Sequence, residues 1–175
     1  MREGLAGFST SAERVHPRRS QRARGRRTAP CAAAQVGSQP VTVVRALAHR
    51  GDSVLMLRRA SGDSLAGCWE LPGGKVDELA DRPEEPLEAL AREFHEECGL
   101  ELLGTPRLLA SAPRVSPNGK LVHELMYVAE IADGTEQLSD EHDQARWQPL
   151  HEPAPGNLTE AAAAGLAALR ARIAA

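Results

Sequence analysis

Aromatic side chains are scarce in this sequence of 175 residues. It contains two Phe, one Tyr and two Trp, at Phe8, Trp69, Phe94, Tyr127 and Trp147. Proteins that bind single-stranded nucleic acid stack successive bases on aromatic side chains along a basic groove. The shortage therefore argues against a nucleic acid as the partner of this protein.

Long apolar runs are also missing, and so is a paired set of cysteines. No stretch approaches the roughly 20 apolar residues that cross a bilayer, and the N-terminus lacks the apolar centre of a secretory signal. Cys31, Cys68 and Cys98 are odd in number, and their spacing matches neither a disulfide framework nor a zinc site. We expect a soluble, cytoplasmic protein with reduced thiols and no membrane partner.

Charge divides the chain into two parts. Residues 1–40 hold 8 Arg and 2 Glu, whereas residues 41–175 hold 13 basic and 22 acidic residues. Residues 1–38 have no apolar periodicity, which predicts a disordered Arg-rich tail. That tail could be without function, a phosphate-seeking arm or an organelle transit peptide. The remaining residues, 39–175, are long enough for one domain.

Periodicity in residues 39–175 predicts strands that come in runs, with one central and one terminal helix. The predicted strands cover residues 41–48, 53–57, 106–112, 121–131 and 145–150. Asn118-Gly119 favours a tight turn and hence a hairpin between the third and fourth of these strands. Thr159 is a candidate N-cap for an Ala-rich helix over residues 159–174. The pattern predicts an α/β domain with a mixed sheet.

The central helix carries clustered acids. Pro86 near its start and Gly99 at its end delimit about 15 residues. Its predicted apolar face comprises Leu87, Leu90, Ala91 and Phe94. Glu93, Glu96 and Glu97 are spaced i, i+3 and i+4, so their carboxylates should converge. Like charges near a helix C-terminus are unfavourable, which favours a functional use such as holding a divalent cation. The alternative is a merely solvated acidic face.

The surrounding residues favour the functional interpretation. In order they read Gly74, Glu84, seven residues, Arg92-Glu93-Phe94, Glu96-Glu97 and Gly99-Leu100. This order resembles the Nudix box, the signature of the Nudix hydrolases, and the preceding residues 69–76 are similar to that family as well. One departure is the spacing from Gly74 to Glu84, which is nine residues where the family usually has five. Glu85 could therefore substitute for Glu84.

The resemblance implies a Nudix-like α/β/α sandwich with a mixed β-sheet and a metal-dependent pyrophosphohydrolase. Mg²⁺ or Mn²⁺ would be the cofactor, with Glu93, Glu96, Glu97 and the backbone of Gly74 as its ligands. Arg92 would orient the carboxylates, and Glu93 could also serve as the base. A further acid is expected from a later loop, where Glu141 is the choice within residues 140–143.

The substrate implied by the resemblance is a small nucleotide. The residues around Trp69 are similar to members that cleave the diphosphate linkage of nucleoside triphosphates or related nucleoside diphosphate derivatives. Pro117 is close to the position seen in members that cleave ADP-ribose or other nucleotide sugars, which is the alternative. A catalytically silent nucleotide sensor is an alternative from another class. Trp69, Tyr127 and Trp147 are candidate substrate contacts, with a position in the core as the alternative for Tyr127 and Trp147. The family often forms homodimers.

Overall fold

The computed structural model describes residues 40–62, 64–116 and 118–175. The predictions for residues 1–38, Cys31 and Pro117 lie outside these residues. Six strands and two helices follow one another along the described chain. They are β1 (Val41–Arg50), β2 (Ser53–Arg59), β3 (Trp69–Glu70), α1 (Pro86–Cys98), β4 (Leu102–Val115), β5 (Leu121–Ile131), β6 (His142–Pro149) and α2 (Glu160–Ile173).

The strands form one mixed sheet in the order β3-β2-β1-β5-β4, with β6 pairing against β2. β1 and β5 run parallel, and the other pairs are antiparallel. β4 and β5 form the hairpin that the Asn-Gly turn predicted, with Val115 opposite Leu121. The two-residue strand β3 was not predicted, because it is too short to show a periodic pattern.

A helix covers each face of the sheet. Alternate residues of β1 point to opposite faces, so that Val44 and Ala46 pack with Leu90 and Phe94 of α1. Leu47 packs with Leu166 of α2 on the other face. This is the α/β/α sandwich with a mixed sheet that the sequence predicted. Among the described residues, neither helix is long and apolar enough to span a membrane.

Local signals set the ends of α1. Pro86 occupies the first helical turn, and the Glu85 backbone N–H donates to the Glu88 carboxylate at 3.1 Å. At the other end Gly99 adopts φ 67°, a left-handed conformation that glycine accommodates without steric cost. The helix therefore has 13 residues, slightly fewer than the sequence suggested.

The predicted apolar face of α1 was partly wrong. Leu90 and Phe94 are fully buried, but Leu87 is 38% exposed and Ala91 also faces solvent. Ala89 and Cys98 are buried in their place. Spacings of three and four allow two neighbouring stripes on a helix, and the stripe that meets the sheet is decided by tertiary packing.

The extra residues before Glu84 form a closed loop. Glu78 and Pro83 make a β-bridge, and the Leu79 N–H donates to the Arg82 carbonyl at 3.0 Å. At the base of the loop the Glu84 N–H donates to the Asp77 carbonyl at 2.9 Å. The chain thus returns to the point where it left, and Glu84 keeps its place beside α1.

Candidate active site

A cleft of about 370 Å³ opens where the 72–76 segment passes between β1 and α1. Hydrogen bonds from Val44 N–H to the Gly74 carbonyl and from Ala46 N–H to the Pro72 carbonyl, both 2.8 Å, fix this segment along β1. Ten residues line the cleft: Val43, Arg45, Arg59, Gly73, Gly74, Lys75, Asp77, Glu93, Glu97 and Glu141. Acidic and basic side chains therefore line the same cleft.

Arg92 organises the acidic side of α1. Its guanidinium donates to Glu84 through Nε and Nη2, both at 2.9 Å, and from Nη1 to Glu93 at 2.9 Å and Glu96 at 3.2 Å. Nη2 also donates to the Lys75 carbonyl at 3.1 Å. These neighbouring carboxylates, Glu84 first, raise the pKa of Arg92 above its ordinary value. Arg92 therefore stays charged and holds Glu84, Glu93 and Glu96 in one arrangement.

Of the two neighbouring glutamates, Glu84 is the one that pairs with Arg92. Its side chain is 7% exposed, and Oε2 also accepts from the Asp77 N–H at 3.1 Å. The hydrogen bonds from Arg92 lower the pKa of Glu84, which keeps the carboxylate ionised. Glu85 caps the helix instead and is exposed. The insertion therefore leaves Glu84, and not Glu85, in contact with the arginine.

The three glutamates of the predicted metal cage differ in their surroundings. Glu97 is buried and accepts from the Gly73 N–H at 2.8 Å, and its burial raises its pKa to about 7. Glu93 is 18% exposed and faces the cleft beside it. Glu96 is 58% exposed, and the lining drawn from the described residues leaves it out.

Gly74 makes room for Glu93. A Cβ atom built on Gly74 would lie 2.3 Å from the Glu93 carboxyl carbon, closer than any real contact. The absence of a side chain at position 74 thus lets the Glu93 carboxylate lie directly against the backbone. Oxygen donors so placed suit a hard divalent cation.

As they stand, the side chains do not form a closed metal cage. Within residues 40–62, 64–116 and 118–175, no three His, Cys, Asp or Glu side chains are grouped closely enough to hold a metal ion. Glu93 and Glu96 point to Arg92, whereas Glu97 points to Gly73. The donor chemistry and the space above Gly74 nevertheless fit a magnesium-type ion, which commonly keeps waters and uses few carboxylates.

Glu141 reaches the cleft from the residue before β6. Its Oε2 accepts from Arg59 Nη1 at 3.0 Å, and its backbone carbonyl accepts from the Ala60 N–H at 2.8 Å. The side chain is 64% exposed. The structure therefore brings together Gly74, Glu93, Glu97 and Glu141, four of the predicted site residues.

The predicted aromatic contacts lie elsewhere. Among the described residues, the cleft lining includes none of the three. Tyr127 is buried in the core on the α1 face, and Trp69 packs against the core on the α2 face. Trp147 donates from Nε1 to Glu136 at 2.7 Å, and the Arg50 guanidinium lies over its ring. All three side chains are thus occupied by packing or by protein partners.

Sequence reasoning missed the buried charges behind the cleft. Glu70 is 3% exposed and His142 is 4% exposed, and His142 Nε2 lies 3.0 Å from Glu70 Oε1. Glu70 also pairs with Arg45 and Arg59, two residues of the cleft lining. No periodic signal could have found this cluster, because its members come from β1, β2, β3 and β6.

A second cavity of about 270 Å³ shares Arg45 with the cleft. It lies at the start of α2, and five of its ten lining residues are polar or charged: Arg45, Glu70, Arg114, Thr159 and Glu160. Together the two spaces can accept a molecule that has a charged part and a less polar part.

Comparison with known proteins places this geometry in a family. The model of the NUDIX domain matches residues 39–169, and the chain belongs to the Nudix family. It is a Nudix hydrolase, an enzyme that acts on phosphoanhydride bonds.

Two relatives and one solved structure illustrate the range of similarity. CTP pyrophosphohydrolase of Escherichia coli strain K12 is 31% identical over 107 residues, which are 61% of this chain and 74% of that protein. A putative 8-oxo-dGTP diphosphatase 2 of Mycobacterium tuberculosis is 50% identical over 60 residues, which are 34% of this chain and only 40% of that protein. The crystal structure of a MutT NUDIX hydrolase from Burkholderia pseudomallei superposes with a TM-score of 0.65 at 31% identity, covering 75% of this chain and 98% of that one.

Proposed function

We propose that this protein is a metal-dependent pyrophosphohydrolase that cleaves the diphosphate linkage of a nucleoside triphosphate. The observation that carries the proposal is the shared cleft, where Glu93, Glu97 and Glu141 face Arg45, Arg59 and Lys75. Carboxylates alone would repel a phosphate chain. Carboxylates that hold a divalent cation, with guanidinium and ammonium groups opposite, suit it.

The relatives support the substrate class. The E. coli relative is named for CTP and the mycobacterial relative for 8-oxo-dGTP, and both are nucleoside triphosphates. The second cavity offers a place for the nucleoside, because it lies beside Arg45 and combines apolar side chains such as Val115 and Leu158 with polar side chains that can contact a base and ribose. We therefore place the phosphates in the cleft and the nucleoside toward α2.

The residues that would hold Mg²⁺ or Mn²⁺ are Glu93, Glu96, Glu97 and the backbone of Gly74. Such an ion neutralises phosphate charge and makes a bound water more acidic. Arg92 orients Glu93 and Glu96, since it donates to both from Nη1.

Glu141 is the residue to which we assign proton acceptance. It is the most exposed of the three cleft glutamates, and its carboxylate can therefore meet a water that approaches the phosphates. A general base must lie within hydrogen-bond reach of the proton it removes. Glu93 is the alternative base, and kcat of Glu141→Gln at saturating Mg²⁺ separates the two, because a near-wild-type kcat in that variant would leave Glu93 as the base.

A substrate panel tests the proposal. Purified protein is incubated with nucleoside triphosphates, ADP-ribose, other nucleotide sugars and dinucleoside polyphosphates, with and without Mg²⁺, and release of phosphate and pyrophosphate is measured. We expect Mg²⁺-dependent release of pyrophosphate from a nucleoside triphosphate. Preferential cleavage of ADP-ribose would instead support the nucleotide-sugar alternative. Nucleotide binding without hydrolysis would contradict catalysis and support a sensor.

Three further features belong to the same proposal. The catalytic domain comprises residues 39–175, with residues 1–38 as a separate tail, and the protein acts in the cytoplasm on a small nucleotide. The third feature is a homodimer, and light scattering at the protein concentration of the assay measures whether it forms.

A further inference from the structure

We propose that Glu70 is a positioning residue, which holds Arg59 and Arg45 so that Glu141 and Glu97 are kept at fixed places in the cleft. The inference rests on the proposed function, which puts Glu141 and Glu97 at work there. Glu70 belongs to the two-residue strand β3 and is not itself among the residues that line the cleft. It does line the second cavity, where we place the nucleoside. Its effect on the phosphate chemistry in the cleft is therefore indirect, whereas a contact with the nucleoside would appear in KM.

The first connection runs through Arg59. A single nitrogen, Nη1, lies 3.2 Å from Glu70 Oε1 and 3.0 Å from Glu141 Oε2. Glu70 is 3% exposed, whereas the Glu141 side chain is 64% exposed. An exposed ion pair is weak and has many arrangements in water. Because the other carboxylate on the same nitrogen is buried, Arg59 is confined, and Glu141 is confined with it.

The second connection runs through Arg45. Its Nη1 lies 3.5 Å from Glu70 Oε2 and donates to the carbonyls of Leu71 and Gly73. The Gly73 N–H in turn donates to Glu97 Oε2 at 2.8 Å. Arg45 thus holds both the backbone that contacts Glu97 and the buried carboxylate that anchors Arg59.

His142 completes the anchor. Its side chain is fully buried, and its Nε2 lies 3.0 Å from Glu70 Oε1. His142 follows Glu141 directly and pairs with Arg59 in the β2–β6 register. Glu70 Oε1 therefore contacts both the side chain of Arg59 and that of His142, the residue that follows Glu141.

Stability alone is a poor explanation for this cluster. Removing a carboxylate from water is costly, and a buried ion pair is often no more stabilising than apolar residues of the same size. Glu70 takes three cationic or hydrogen-bonding partners, and two of them are residues of the cleft lining. The contacts of Glu70 instead fix the positions of Arg45 and Arg59 in the cleft.

A double-mutant cycle on kcat and KM tests the role. Glu70→Gln keeps the size and shape of the side chain but removes the charge, and we expect it to lower kcat about tenfold or more with a smaller change in KM, since displacements of about 1 Å cost that much. In the Glu141→Gln background one of the two positioned groups is gone and only the connection to Glu97 remains, so the same change should lower kcat by a clearly smaller factor. An equal fold-loss in both backgrounds would overturn the proposal, as would an unchanged kcat.

Glu124→Gln is the matched control. Glu124 is also a buried carboxylate, at 2% exposed, and it pairs with Arg114 and lies 3.5 Å from Arg45 Nε. We expect its fold-effect on kcat to be the same with and without Glu141→Gln. If Glu70→Gln or Glu124→Gln lowers kcat only by disturbing the fold, its fold-effect is the same in the wild-type and Glu141→Gln backgrounds.

A readout independent of activity accompanies the cycle. Nitrogen-15 NMR of the arginine side chains should show slow rotation of the Arg59 guanidinium in the wild-type protein and faster rotation in Glu70→Gln, with the signal assigned from Arg59→Lys. If Glu70→Gln does not fold, His142→Asn is used in the same cycle, and non-additivity with Glu141→Gln is again expected. Unchanged Arg59 rotation in the folded variant contradicts the anchor.

The two proposals fail in different ways. If the wild-type protein hydrolyses no member of the substrate panel, the proposed function is wrong. If it hydrolyses one and Glu141→Gln slows it, but Glu70→Gln acts additively, the positioning role alone is wrong.

Discussion

Arg92 and Glu84 form a two-pronged ion pair, with Nε and Nη2 each 2.9 Å from a different carboxylate oxygen. The pair joins α1 to the end of the loop that precedes it. Glu84 is therefore an anchor for the arginine that orients Glu93 and Glu96, and its own carboxylate is fully engaged.

Arg92→Lys should lower the free energy of unfolding by about 1–3 kcal/mol, the range for losing hydrogen bonds to charged groups. A lysine retains the charge but has three N–H donors on one nitrogen, so it cannot replace the two-pronged contact with Glu84 together with the hydrogen bonds to Glu93, Glu96 and the Lys75 carbonyl. Urea unfolding followed by circular dichroism measures the change. Arg82→Lys, at the exposed pair with Glu88, is the control and should change little. Equal effects of the two substitutions would contradict the anchor.

Gly74→Ala should lower kcat by at least about tenfold, because the new Cβ would displace the Glu93 carboxylate that lies 2.3–2.5 Å from its position. Steady-state hydrolysis of the best substrate is the measurement. Gly156→Ala is the control, since a Cβ there meets no atom within 4 Å. Wild-type kcat in Gly74→Ala would show that Glu93 need not lie against this backbone.

Glu97→Gln should reduce turnover by about a hundredfold or more, because it removes a charged ligand of the proposed metal site. The protein should stay folded, because the amide oxygen can still accept from the Gly73 N–H. Pyrophosphate release and the thermal unfolding midpoint are measured together. Glu101→Gln, an exposed substitution beyond the helix, serves as the control. A near-normal rate in Glu97→Gln would refute the assignment of Glu97.

Stability should decline in acid partly through Glu70. Burial raises the pKa of Glu70, but the hydrogen bond from His142 and the charges of Arg45 and Arg59 outweigh it, so the pKa lies below the ordinary 4.5. The Glu70 carboxylate therefore binds a proton more tightly in the unfolded chain than in the folded protein. Its contribution to the free energy of unfolding is fully present above about pH 4.5 and is lost as the pH falls. Urea midpoints from about pH 6 to about pH 3 should fall less steeply in Glu70→Gln than in the wild-type protein. Parallel curves would contradict the prediction.

Removing residues 1–38 should leave both folding and hydrolysis intact, because that segment has almost nothing apolar to bury. Thermal unfolding and kcat of the shortened chain are compared with those of the full chain. Loss of the cooperative transition would show that the segment belongs to the domain.

Local chemistry made much of the helix predictable. Pro86 and Gly99 act within a turn of the chain, so the limits of α1 and its Arg-Glu spacing could be read without knowledge of the rest of the fold. The strands were predictable from their apolar and alternating patterns, and the mixed sheet from their order around one central and one terminal helix. The contact between Arg92 and Glu93 was expected from the resemblance, in which Arg92 orients the carboxylates, and not from their adjacency, because neighbouring residues on a helix do not face each other.

Other features depend on residues distant in sequence. The choice of Glu84 over Glu85 required the loop to close at Asp77, and the exposure of Leu87 and Ala91 required knowing which stripe of α1 meets the sheet. The aromatic residues were predicted from chemistry alone, whereas their positions in the two cores depend on strand order.

The sequence by itself determined the Arg-Glu motif, the oxygen-rich chemistry of the candidate site and the alternation of strands, because these depend on spacing along a helix or a strand. Only the tertiary structure decided that Glu141 reaches the cleft of Glu93 and Glu97, and that Glu70 and His142 stand behind it. Glu93 and Glu97 belong to α1, Glu70 to β3 and His142 to β6, with Glu141 directly before it, so only the packing of these elements brings the residues together.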